Sequence, residues 1–152
     1  MASTGSPLRV LVVAHRTAAT PALIDAVRDR AAAGPCRFTL LVPASAHGLH
    51  QVMDPEDQDE AEADAVIELA VPLLEEAAGA PVESIVGAPE PLAAIEDAVN
   101  VHGFDEMIIS TLPSHVSRWM RLDLPRKAAG LGLPVTTVTA KSARPRQTAS
   151  SP

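Results

Sequence analysis

Aromatic residues are scarce in this chain of 152 residues. Tyrosine is absent, Trp occurs once and Phe twice, 2% in all. A surface that stacks nucleobases on aromatic platforms is therefore not expected, and the core must be aliphatic. Cysteine occurs once, at Cys36, which excludes an intrachain disulfide and makes a reducing interior the natural setting. No stretch reaches the roughly 20 consecutive apolar residues that cross a bilayer. The beginning, MASTGSPLRV, has no apolar core behind a basic end, so no secretory leader is expected and the cytoplasm is the expected location. Cations are missing from a long middle stretch. No Lys or Arg lies between Phe38 and Ser117, and the acids from Asp54 to Glu106 all fall there. From Arg118 onward the sign reverses, with seven Lys or Arg against Asp123 alone. A net charge of -7 opposes binding to nucleic acid or to an anionic membrane, and neither is an expected partner. A local basic loop can still select a small anion.

Reactive constellations are absent too. There is no Gly-x-Ser-x-Gly elbow and no Walker-type loop, and the adjacency of Ser114 and His115 in sequence implies nothing about their geometry. An enzyme is not expected. His47 and His50 are three apart, but no cysteine or second pair joins them at a metal-binding spacing, so no metal site is expected. The acidic run Asp54 to Asp64 lacks the glycine and alternating ligands of a calcium loop. It reads as a helix start whose carboxylates complement the positive end of the helix dipole. Cys36 reads as a small, packed residue.

What the chain does have is a hydrophobic fraction of 47% arranged in regular alternation. Leu8 to Ala14, LRVLVVA, is a continuous aliphatic run, as a strand covered on both faces requires. Thr20-Pro21 reads as a helix start, with Leu23, Ile24, Val27 and Ala31 on one face and Gly34-Pro35 as the stop. Arg37 to Val42 is a second strand. Asp54-Pro55 opens a long helix that Pro72 is expected to kink. Val82 to Val86 is a third strand. A helix with Leu92, Ile95 and Val99 inward follows it, ended by His102-Gly103. Met107 to Ile109 is a fourth strand, Asp123 to Ala129 a short helix with Asp123 as N-cap, and Val135 to Val138 a fifth strand. This order predicts a single Rossmann-like α/β domain over residues 8–139, a five-stranded parallel sheet with helices on both faces. Residues 1–7 and 140–152 are expected to be loose ends.

In such a sheet a ligand sits beyond the carboxyl ends of the strands, where their order reverses. The first and fourth strands form that crevice. Their ends supply His15, Arg16 and Thr17 on one wall and Ser110 and Thr111 on the other. A loop with Pro113, Ser114, His115 and Ser117 leads to Arg118 and Arg121. Ser110 and Thr111 either donate hydroxyls to a ligand or satisfy the turn backbone. His115, Arg118 and Arg121 either clamp an anion or form a solvated surface. His15 and Arg16 either touch the anion or bond a neighbouring loop. Trp119 reads as a loop anchor, with its ring against the fold.

The strand order, the size and the ending LPVTTV resemble the universal stress protein family, within the wider group of adenine-nucleotide alpha-hydrolase-like folds. The resemblance covers roughly residues 8 to 139. It implies a dimer through the last strand and a nucleotide site built on Gly-x-x-Gly, nine residues, then Gly-Ser/Thr. That spacing falls on Ser110, Pro113, Asp123 and Leu124, with every glycine replaced. Glycines there let backbone N–H groups approach phosphates; Pro113 has no N–H, and Asp123 repels them. His15 stands where the family carries an acidic residue. The resemblance thus implies ATP or AMP as cofactor, weakened by the lost glycines. The expected function is that of a universal stress-like regulatory protein holding a nucleotide or small anion between the first and fourth strands. The alternative is a ligand-free protein-interaction module.

Overall fold

A computed structural model of the chain describes residues 7–44, 55–112 and 118–140. Five strands, β1 (Leu8–Val13), β2 (Cys36–Pro43), β3 (Glu83–Gly87), β4 (Glu106–Thr111) and β5 (Val135–Thr139), form one sheet. Its order is β3-β2-β1-β4-β5, with every neighbouring pair parallel. Between them run α1 (Pro21–Ala33), α2 (Pro55–Ala78), α3 (Pro91–His102), α4 (Arg118–Arg121) and α5 (Leu124–Ala129).

The continuous apolar run of β1 is explained by the two layers that cover it. Val10 and Val12 point into a core with Leu23 and Val27 of α1, Ala70 and Leu74 of α2, and Ile108 of β4. Leu11 and Val13 point the other way, toward Ile95 and Ala98 of α3, Met107 and Ile109 of β4, and Leu124 and Ala128 of α5. A strand that fills two cores can alternate only between one aliphatic residue and another.

Helix α1 starts at Pro21 as expected, but Thr20 does not cap it by accepting a backbone N–H. Its hydroxyl donates instead to the carbonyl of Thr17 at 2.8 Å. The long helix α2 continues as one element through Pro72, whose position faces solvent. There the carbonyl that loses its N–H partner can turn to water. At the end of β3, Gly87 allows a close approach: a Cβ there would lie 2.7 Å from Cβ of Ala94 and 2.9 Å from Cδ1 of Leu41. Gly103, with φ 76°, ends α3 and donates its N–H to Val99 at 3.0 Å.

Two sequence expectations are corrected. The fourth strand runs two residues further than its apolar letters, so Ser110 and Thr111 are strand residues, 1% and 2% exposed. Asp123 precedes α5 but does not cap it. Its φ of 59° is left-handed, and its carboxylate meets Arg126 at 3.5 Å rather than a backbone N–H. Of the expected loose ends, Ala140 belongs to the fold: it is buried and donates its N–H to Thr111 at 2.8 Å. Residues 1–6 and 141–152 lie outside the described residues, as do Asp54, His47 and His50.

Candidate functional site

With β1 and β4 adjacent and their crossovers departing in opposite directions, the reversal of strand order falls between them. This is where a parallel sheet opens a crevice at its carboxyl edge. After β1 the chain passes through buried Ala14, half-buried His15 and exposed Arg16 to Thr17, which is 3% exposed. A tight turn, with the N–H of Ala18 on His15 at 3.2 Å and that of Thr20 on Thr17 at 3.1 Å, carries it into α1.

Thr17 and Ser110, expected on opposite walls, are bonded to each other. Their hydroxyl oxygens lie 2.6 Å apart, and that of Thr17 is also 3.2 Å from the carbonyl of Ser110. Both are buried, so the pair ties the turn after β1 to the end of β4 without a solvent-exposed hydroxyl. Thr111 differs. Its hydroxyl is buried and, among the described residues, is the one buried side-chain polar atom with no hydrogen-bond partner. The strand's alternation continues the row Met107, Ile109, Thr111, which faces the α3 and α5 layer. A buried hydroxyl without a partner costs about 1–3 kcal/mol, so its persistence in a packed strand calls for a reason.

The stretch beyond β4 is only partly described. Pro113, Ser114, His115 and Ser117 lie outside the described residues, as does the side chain of Arg118. Arg118 to Arg121 is a helical turn, α4, rather than the expected loop. Arg121 is exposed, and Trp119 is half-buried against the core that contains Leu124 and Ile109, the anchor its chemistry suggests. Among the described residues no group of His, Cys, Asp and Glu is placed to hold a metal ion, and no helix is long and apolar enough to cross a membrane.

A second polar cluster, at the amino edge of the sheet, escaped the sequence reading. Arg30 of α1 donates to Glu106 of β4 through Nε at 2.6 Å and Nη2 at 3.3 Å, with both side chains half-buried. The Glu106 carboxylate, by accepting this bond, holds the Arg30 guanidinium above its ordinary range, against the opposing effect of burial. Beside them, burial pushes the Cys36 thiol up from its ordinary value of 9.0. Arg9 lies 5.3 Å from the centre of the Phe104 ring and donates to the carbonyl of His102 at 2.8 Å. Its backbone N–H reaches Asp105 Oδ2 at 2.8 Å. The partners are separated by 76 residues or more in sequence, and no local pattern announces them.

No protein-family model and no curated protein matches the sequence. Solved structures do match the fold. The universal stress protein from Archaeoglobus fulgidus aligns with a TM-score of 0.62 at 17% identity, over 86% of this chain and 93% of that one. A universal stress family protein from Arabidopsis thaliana with AMP bound aligns with a TM-score of 0.59 at 15% identity, over 90% and 94%. A universal stress protein in complex with cAMP aligns with a TM-score of 0.59 at 14% identity, over 88% and 98%. This chain has the universal stress protein fold. Identity this low carries the architecture, and function must be argued from the residues themselves. Within the universal stress fold, the spacing that counts the third motif glycine onto residue 123 finds Asp123 there, the sole non-glycine with positive φ among the described residues. The backbone conformation that a glycine would take is present; the glycine is not.

Proposed function

We propose that the chain is a non-enzymatic, universal stress-like regulatory protein of the cytoplasm that binds a nucleotide or another small anion beyond the ends of β1 and β4. The observation that carries this reading is the buried, unpartnered hydroxyl of Thr111 at the carboxyl end of a strand beside the reversal of strand order. A ligand oxygen is the partner it lacks. The AMP and cAMP held by similarly folded neighbours support a nucleotide in this role. In sequence His115, Arg118 and Arg121 follow β4, and His15 and Arg16 follow β1; these are the groups assigned to the phosphate. The carboxylate of Asp123, standing where the family motif has a glycine, opposes a triphosphate and favours AMP over ATP. The β5 edge, with Thr136, Thr137 and Thr139 exposed, pairs with a second copy to form a homodimer.

One observation favours a ligand-free interaction module instead. The Thr17–Ser110 bond spends two of the crevice's hydroxyls on each other. Titration calorimetry with AMP, ATP and inorganic phosphate, at low and moderate salt, separates the two readings. Binding of AMP that weakens with salt and in Arg118→Ala and Arg121→Ala supports the anion site. Absence of heat from all three at millimolar concentration overturns it in favour of the module.

A further inference from the structure

Two surfaces, of which the basic one shares Arg121 with the proposed anion site, carry opposite charge around exposed leucines. On α2, Leu69 is 65% and Leu73 37% exposed, one turn apart on the same face. Asp64, Glu68 and Glu76 are exposed around them, and the absence of Lys and Arg from residue 39 to 117 leaves this helix with no cation. On the other side of the sheet, the α4–α5 segment exposes Leu122, at 38%, beside Arg121, with Arg126 and Lys127 exposed on α5. The ion pair of Arg126 with Asp123, at 3.5 Å with side chains 85% and 55% exposed, is too solvated to hold Arg126 away from another carboxylate.

We propose that the acidic α2 face of one molecule docks on the basic α4–α5 face of a second copy, with Leu69 and Leu73 against Leu122. The two faces belong to opposite layers, since α2 packs on the core of Val10 and Val12 and α5 on the core of Leu11 and Val13. The contact is therefore head-to-tail, and each molecule added leaves one acidic and one basic face free. It is distinct from pairing at the β5 edge, which uses the same surface on both partners. A few leucines within charged rims make a contact of the transient class, formed at high protein concentration and screened by salt.

Because the contact is head-to-tail, two variants that each lose one face must restore it together. We take Leu69→Lys with Leu73→Lys as the first and Arg121→Glu with Arg126→Glu as the second, both checked for folding by circular dichroism. Sedimentation equilibrium of the full chain is expected to show a mass that grows with concentration beyond any dimer, and shrinks as salt rises from about 50 to about 500 mM. Each variant alone is expected to need about tenfold more protein for the same association. Their equimolar mixture is expected to recover a contact through the two intact faces. A wild-type mass that ignores concentration and salt overturns the proposal. So does a folded α2 variant that associates like wild type, or a mixture no better than its parts.

Discussion

The two ends of the sheet treat their polar groups differently. At the amino edge, Arg30 and Glu106 meet through two hydrogen bonds, and Arg9 divides its bonds between His102 and Asp105 while lying over Phe104. Opposite charges and complementary donors are matched there, and the result joins α1, β1 and the start of β4. At the carboxyl edge, Thr17 and Ser110 satisfy each other, but the next residue leaves a buried hydroxyl unmatched. Parallel sheets commonly separate duties in this way, with one edge closing the fold and the other receiving the ligand. On the proposed function, the unmatched Thr111 hydroxyl at that edge is the group that a bound ligand would satisfy.

The contrast can be broken first at the amino edge. Glu106→Ala leaves the partly buried Arg30 guanidinium without its carboxylate, and is expected to cost about 2 kcal/mol in urea unfolding. A ligand titration of the same variant is expected to match wild type, because the change is at the far end of β4. The Arg30 pKa is raised by the bond to Glu106, so its contribution is fully present below the ordinary arginine range and fades only as pH rises through the still higher folded value. The guanidinium's side of the pair is therefore insensitive to pH across the ordinary working range.

At the carboxyl edge, Ser110→Ala removes one half of the buried hydroxyl pair and strands Thr17 with only the carbonyl of residue 110, 3.2 Å away. The expected loss is about 1–2 kcal/mol by the same unfolding measurement. A smaller effect belongs to Cys36. Burial holds its thiol protonated beyond 9.0, so folding is opposed by thiolate formation only in the unfolded chain's titration range and above. Stability is expected to fall modestly as pH climbs past 9.0, and Cys36→Ala is expected to flatten that decline in a pH series of melting curves. Equal slopes in the two proteins would remove Cys36 from the account.

The sequence made the layers readable because burial on both faces demands continuous apolar runs such as LRVLVVA in β1 and FTLLV in β2. The crevice followed from the strand order alone. The hydrogen bonding was harder to foresee. Ser110 and Thr111 look like the start of a loop by their side chains, yet pairing with β5 carries the strand through both, and one residue of register decides which core each faces. Asp123 has the chemistry of a cap, but a left-handed backbone takes its carboxylate away from the helix N–H groups. The Arg30–Glu106 pair spans 76 residues and depends on the packing of α1, so no motif could announce it.

The measurement that bears most directly on the account is thermal unfolding of Thr111→Val with and without AMP. Valine keeps the shape of threonine and removes the unmatched hydroxyl. Without AMP the variant is expected to gain about 1 kcal/mol, which is about 2–4 °C in melting temperature for a domain of this size. With AMP, wild type is expected to rise and the variant to rise much less, since the group that was left for the ligand is gone. A variant that is less stable without AMP, or that responds to AMP as fully as wild type does, would contradict the claim that the carboxyl edge holds its hydroxyl in reserve for a ligand.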